Sequence, residues 1–359
     1  MLSSNSKIIT ALSGGGFRAF MFHAGVFKYL AEQNLLSNIY NISTVSGGSL
    51  FIGLLLSISK GGWPDDKEYL TNVLPQMKIL LLSQDLYYGL WERFIPHNWS
   101  HLFANPQKLA NEISKKWNVT LDLNDLSSPS NPTLSINMTT ADTGKRSRFK
   151  ITSDNVDFGD FILGYEYDLN NIPLALAMAT SAAVPLYAGG YDYTFKSEPI
   201  RGKSNDKWQR VPPGTRTITL YDGGLYDNLG LESIFDSGEQ KLKKDFENSF
   251  LIVSDAGKPC DYTKYSTLGK IDKTKRIISI LQEQNRSLRI RSLMTAFNDG
   301  KINGVLIPII GMKNPQIFPE RDRACLYPTD LKKVKEDDWN FLTDFGYKMA
   351  ESQLSGIIE

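Results

Sequence analysis

The 359-residue chain is poor in cysteine and histidine and carries almost no net charge. Its two cysteines, Cys260 and Cys325, form no C-x-x-C pair, so neither a disulfide framework nor a cysteine zinc site is encoded. They read as two buried thiols in a reducing compartment. A formal charge of +1 offers no field that would gather nucleic acid or an acidic partner. The longest apolar stretch near the front, Leu50 to Ile58, falls far short of the ~20 residues that span a bilayer. The opening MLSSNSKIIT lacks the basic patch and apolar core of a secretory signal. Internal repeats, low-complexity tracts and a D-x-D-x-D-G calcium loop are absent as well. What remains is a cytoplasmic globular protein, with peripheral contact at a membrane surface left open.

What is present is an α/β pattern. Lys7 to Leu12 is a short apolar run that predicts a buried strand. Phe17 to Asn34 carries Phe20, Ala24, Phe27 and Leu30 at helical spacing. Ile39 to Val45 predicts a second strand and Gly47 to Ser59 a second helix. Strand–helix–strand–helix favours a parallel sheet wrapped by helices. Residues 61 to 131 differ: they hold four of the six tryptophans and read as a helical, aromatic insertion. Its apolar segment, Ile79 to Leu82 and Leu86 to Trp91, is either packed on the core or a lid facing lipid. Thr133 to Thr139 and Arg148 to Thr152 read as a hairpin-like pair, and Leu174 to Ala183 as a small helix. Further strands are expected at Thr217 to Tyr221, Phe250 to Val253 and Val305 to Ile310, and helices at 268–297 and 338–357. Lys264 to Arg291 holds eight Lys or Arg against two acids, which reads as a solvated helix face or a headgroup-facing patch.

Three glycines, Gly14, Gly15 and Gly16, stand between the first strand and helix, where a ligand can approach the backbone closely. A dinucleotide would need the last glycine of G-x-G-x-x-G and an acid at the end of the second strand. Here Ala19 replaces that glycine, and the second strand ends in Ser43-Thr-Val-Ser46. The G-K-S/T of a nucleotide phosphate loop is missing too. At the second strand's end sits Thr44-Val-Ser46-Gly-Gly48, a nucleophile-elbow arrangement with Thr44 in place of its first glycine and Gly48 as its last. A serine there can also simply cap the helix.

A base for Ser46 is not found among the usual residues. The three histidines are His23, His97 and His101, and none follows residue 101, so the Ser…Asp…His order cannot be built. His23 lies inside the first helix and reads as a packed side chain. His97 and His101 are spaced like two ligands on one helix face but lack the glutamate of H-E-x-x-H. A carboxylate is the alternative. Asp222, in Tyr221-Asp-Gly223-Gly224, ends a predicted strand, and in a parallel sheet that places it near Ser46. Asp255 is a rival at another strand end, and an Asp-Gly turn is the plain alternative for Asp222.

Glycine loop, T-x-S-x-G and D-G-G, in this order and each at a strand end, resemble the patatin-like phospholipase family. Gly14-Gly-Gly-Phe-Arg-Ala-Phe-Met-Phe-His-Ala-Gly-Val-Phe27 is similar to the family's opening, and Ser181-Ala-Ala-Val-Pro185 to a later segment. The likeness spans residues 7 to about 257. It implies a three-layer α/β/α sandwich with a mainly parallel sheet over residues 1–359, in which 61–131 is an insertion or lid and 258–359 completes the fold. It implies a Ser–Asp dyad without cofactor or metal: Ser46 the nucleophile, Asp222 the base, and backbone N–H groups of Gly14, Gly15, Gly16, Phe17 and Arg18 the oxyanion hole. Gly48, Gly223, Gly224 and Asn228 would support the turns, and Arg18 would hold the loop or meet a lipid phosphate. The implied substrate is a phospholipid or other acyl ester. A small-ester hydrolase, a serine peptidase and a non-catalytic lipid-binding module remain alternatives on the same residues.

Overall fold

Strand β1 (Ile8–Leu12) is buried along its whole length, and its residues alternate between two cores. Ile8 and Leu12 belong to the larger apolar cluster, Ile9 and Ala11 to a second one on the other side of the sheet. This is the period-2 alternation of a strand covered on both faces. The computed structural model describes residues 2, 6–86, 105–185, 189–196, 216–260, 262–310 and 320–358.

After β1 come α1 (Gly16–Glu32), β2 (Ile39–Val45) and α2 (Gly47–Ile58). The insertion follows with α3 (Asp66–Glu68), a π-helical stretch Tyr69–Val73, α4 (Leu74–Ser83) and α5 (Pro106–Trp117). Then come β3 (Thr133–Thr140), β4 (Lys145–Ile151), β5 (Val156–Asp160), β6 (Gly164–Glu166) and α6 (Leu174–Ser181). The remainder contains β7 (Tyr191–Thr194), β8 (Thr217–Asp222), α7 (Gly224–Asp227), β9 (Phe235–Asp236), β10 (Lys241–Leu242), β11 (Phe250–Asp255), α8 (Lys270–Asn298), β12 (Asn303–Pro308), α9 (Arg321–Leu326) and α10 (Glu336–Leu354).

The central sheet is mixed. Its parallel part runs β12-β11-β1-β2-β3, and β4, β5 and β6 extend it antiparallel beyond β3. On one face lie α1, α2, α6 and α10; on the other, α8 and the segment around Leu229 to Leu242. The result is a three-layer α/β/α arrangement, as expected. The short strands β5, β6 and β7 were not anticipated.

The described part of the insertion packs onto the core. Tyr69 is buried and its hydroxyl donates to Ala24 O at 2.9 Å. Trp117 stacks on Phe17 with ring centroids 5.9 Å apart. Ile79 is exposed while Leu81 and Leu86 are buried. The rest of the expected lid segment, through Trp91, lies outside the described residues, as do His97 and His101. Cys260 and Cys325 form no disulfide and are half-buried rather than fully buried thiols.

The C-terminal region contributes both sheet and helix. β12 pairs with β11, and α10 lies along α1. Two glycines set how closely these helices approach. A Cβ on Gly25 would stand 1.9 Å from Thr343 O, and one on Gly346 would stand 2.2 Å from Phe22 O. The backbones meet where neither can carry a side chain. Gly25→Ala and Gly346→Ala are each expected to cost about 1–3 kcal/mol, the usual range for forcing extra atoms into a packed core. A lowered urea midpoint at unchanged slope checks this. Gly356→Ala, where an added Cβ meets nothing within 4 Å, is the neutral control.

Candidate active site

Strand β3 brings the two candidate residues together along a single edge. β2 pairs with that edge from Asn41↔Thr133 to Val45↔Asn137, then turns away at Ser46. β8 takes over the vacated edge, antiparallel, with Thr140↔Leu220, Thr139↔Tyr221 and Met138↔Asp222. The other edge of β3 is filled by β4 throughout. β2 and β8 therefore meet head to head, with Val45 and Asp222 opposite successive residues of β3. This corrects one expectation. Asp222 does end a strand beside Ser46, but that strand runs against β3 rather than with it.

Ser46 is the residue at the bend, with φ +50° and ψ −116°. A serine there is strained, and such strain concentrates at functional sites. Thr44 stays in the extended strand, so the unusual conformation falls on Ser46 itself. Ser46 precedes α2 but makes no side-chain capping hydrogen bond, which removes the capping explanation. Its own N–H donates to Ser181 Oγ at 3.0 Å. The turn is tight because Gly47 and Gly48 pack under it. A Cβ on Gly47 would lie 2.3 Å from Gly16 O, and one on Gly48 2.7 Å from Leu12 O.

Asp222 is 3% exposed. Its Oδ1 accepts from Gly224 N–H at 2.6 Å, the bond of an Asp-Gly turn. Its Oδ2 is buried and has no hydrogen-bond partner. An unsatisfied buried carboxylate oxygen is costly and rare. Burial raises the Asp222 pKa from 3.8 to about 6, while the nearby Ser46 hydroxyl and the Gly224 N–H pull it down. The Ser46 hydroxyl thus influences the carboxyl without completing a hydrogen bond of ordinary geometry to Oδ2. Catalytic hydrogen bonds are often long before substrate binds.

The rivals are committed elsewhere. Asp255 is fully buried and paired with Arg286, Nε–Oδ1 3.1 Å and Nη2–Oδ2 2.5 Å. His23 is buried; one ring nitrogen lies 2.9 Å from Ser13 O and the other 2.7 Å from Ser254 Oγ. Burial pushes its pKa down to about 4, so it is a neutral, structural imidazole. Among the described residues, no group of three His, Cys, Asp or Glu could hold a metal ion.

The glycine loop abuts the elbow: a Cβ on Gly14 would touch Ser46 Cβ at 3.0 Å and Asn228 Oδ1 at 2.4 Å. Its amides divide into two sets. Gly14 N–H donates to Asn228 O at 3.0 Å, and Phe17 N–H to Asp330 O at 3.1 Å. These two are engaged within the protein. The N–H groups of Gly15 and Gly16 have no acceptor among the described residues. Gly16 adopts φ +56°, and a Cβ there would lie 2.5 Å from Thr329 O. Arg18 is buried; its Nε donates to Ala256 O at 3.2 Å and its Nη1 to Cys325 O at 3.3 Å and Tyr327 O at 3.2 Å. These bonds tie the loop to the segments around Ala256 and Cys325.

Further residues support the junction. Ser181 Oγ donates to Asn137 O at 2.7 Å while accepting from Ser46 N–H, so it joins β3 to the elbow. Asn137 Nδ2 donates to Ser43 Oγ at 2.8 Å and Thr44 O at 2.9 Å. Thr139 Oγ1 donates to Asp222 O at 3.0 Å. Gly223 is needed because a Cβ would meet Asn137 O at 2.6 Å, and Gly224 because one would meet Asn228 Oδ1 at 2.6 Å.

A family model described as patatin-like phospholipase matches residues 10–235. No curated protein sequence matches the chain. Among solved structures, a human GIVD cytosolic phospholipase A2 aligns over 97% of this chain and 61% of its own, at 12% identity and a TM-score of 0.56. VipD from Legionella pneumophila aligns over 97% of this chain and 66% of its own, at 14% identity and a TM-score of 0.43. The chain thus spans about three fifths of the length of the human protein, and the likeness to it is one of fold.

The raised Asp222 pKa has a signed consequence for stability. Its contribution is fully present below pH 3.8 and is lost as pH rises through about 6, where the buried group must ionise. A shift of this size is worth on the order of 3 kcal/mol. Asp222→Asn keeps the Oδ1 acceptor and removes the charge. It is expected to be more stable than the wild type at pH 8 by up to about 3 kcal/mol, with the difference vanishing near pH 4. Urea denaturation at the two pH values measures it.

Proposed function

This chain belongs to the patatin-like phospholipase family, and from that premise we propose that it hydrolyses acyl esters of glycerophospholipids with Ser46 as nucleophile and Asp222 as base. One observation carries the reading: the unpartnered, buried Oδ2 of Asp222 beside a strained Ser46 whose side chain caps nothing. A base must keep a lone pair uncommitted, and a nucleophile must not be spent on structure.

In this scheme Ser46 Oγ attacks the ester carbonyl carbon as Asp222 Oδ2 takes its proton. A carboxylate is a weak base for an alcohol, and desolvation brings its pKa closer to the working range. The oxyanion of the tetrahedral intermediate accepts from the Gly15 and Gly16 N–H groups, next to the N-terminus of α2. Collapse expels the alcohol, which recovers the proton from Asp222 and leaves an acyl-Ser46. Water, deprotonated by Asp222, then adds to the acyl carbonyl, and the fatty acid departs as Ser46 is regenerated. The domain reading goes with this: residues 1–359 act as one catalytic unit, with 61–131 an insertion or lid and 258–359 completing the fold.

The test joins labelling to lipid assay. A fluorophosphonate probe is expected to label the wild type and to leave Ser46→Ala unlabelled. Asp222→Asn is expected to lower the hydrolysis rate by about 10²–10⁴-fold, the usual worth of a general base. Wild-type activity should fall as pH drops through about 6, where Asp222 takes up its proton. Full esterase activity in Ser46→Ala would sink the dyad. Cleavage of short soluble esters but of no dispersed phospholipid would replace the lipid assignment with a small-ester hydrolase.

A further inference from the structure

We propose that the outward face of α8 is a docking surface for an anionic lipid bilayer. This helix is 29 residues long but is held from one side, and mainly in its second half. Arg286, Leu293 and Ala296 are buried, whereas no described side chain from Lys270 to Asn285 is. At 3.6 residues per turn, Ile277 and Leu288 stand opposite Arg286, with Ile280 and Leu281 beside them. These four are 48%, 42%, 64% and 59% exposed for Ile277, Ile280, Leu281 and Leu288. Apolar residues kept on the outer stripe of an anchored helix are not there to pack the core.

The charges single out the occupant. Lys270 and Lys273 extend the same stripe at its start and Arg291 at its end. Both acids of the helix fall off it: Asp272 lies 3.7 Å from Lys275, and Glu283 bonds Arg286 and Ser287. An apolar band ~16 Å long, bracketed by cations, is the pattern of a helix lying in the headgroup region of an anionic membrane. An uncharged protein surface would gain nothing from the cations. Tyr262 and Tyr265, just before α8, are exposed too, and tyrosine favours the membrane–water boundary.

The inner face of α8 reaches the candidate active site. Gln282 Nε2 donates to Gly224 O at 3.4 Å and Asn285 Nδ2 to Tyr226 O at 2.6 Å, on the turn that follows Asp222. A bilayer on the outer face would lie about one helix diameter, ~10 Å, from that turn. The functional sense of this placement rests on the lipid-hydrolase reading above; the docking itself does not.

The Ser46→Ala chain separates the two, because it binds vesicles without consuming them. In co-sedimentation it is expected to bind vesicles of phosphatidylcholine mixed with phosphatidylglycerol more tightly than phosphatidylcholine alone, and to be released by salt. Ile277→Asp with Leu281→Asp should weaken that binding about tenfold or more, as should Lys270→Glu with Lys273→Glu and Arg291→Glu. The same substitutions in the Ser46 chain should leave soluble-ester hydrolysis unchanged. Equal binding to both vesicles, or undiminished binding in either variant, overturns the proposal. So does a chain that ignores vesicles but forms a dimer that Leu281→Asp dissociates, which would assign the face to a second copy. If docking holds while the wild type cleaves no ester, the catalytic reading has failed and this one stands.

Discussion

The edge of β3 must serve two strands, and the rest of the site follows from how they share it. A strand edge offers a fixed ladder of donors and acceptors, so β8 can pair with Met138 to Thr140 only because β2 has left after Val45. β2 can leave there only by bending sharply, and the bend falls on Ser46. The strain at Ser46 and the approach of Asp222 are thus one event seen from two strands. Asn137, Ser181 and Thr139 make the arrangement durable, because each bonds across the junction to a group on a different element.

Polar groups are buried on both sides of this junction, and their satisfaction is uneven. Behind the glycine loop, Asp255 with Arg286, His23 with Ser13 and Ser254, and Arg18 with three carbonyls are all paired. A buried polar network that is fully paired is rigid. Against that background the open Oδ2 of Asp222 and the open amides of Gly15 and Gly16 stand out. These open groups lie together, beside Ser46.

Much of this could be read in the chain. β1, the glycine loop, α1, β2 and the elbow announced themselves, because a buried parallel strand is a continuous apolar run and a sharp turn needs small residues. The positions of Ser46 and Asp222 at strand ends were legible, while the roles proposed for them came from the resemblance of the ordered motifs. The direction of β8 was not legible, since an alternating pattern reads the same either way. β5 and β6 escaped because Val-Asp-Phe-Gly-Asp160 and Gly-Tyr-Glu166 have acids and glycines where strand residues are expected. Nor could sequence tell which loop amides are occupied. Gly14 and Phe17 are engaged by carbonyls of Asn228 and Asp330, more than 200 residues away along the chain. Ser181 opens a segment that resembles the family's, but its bonds to Asn137 O and from Ser46 N–H could not be read there, because they join it to a strand and a turn far away along the chain.

The bond from Phe17 N–H to Asp330 O, and the fit of Gly16 against Thr329 O, give the glycine loop a brace that lies far from it along the chain. A change at residues 329 and 330 would therefore reach the Gly15 and Gly16 amides without touching β1, β2 or β8. The loop's outer wall comes from beyond residue 235, where the family match ends.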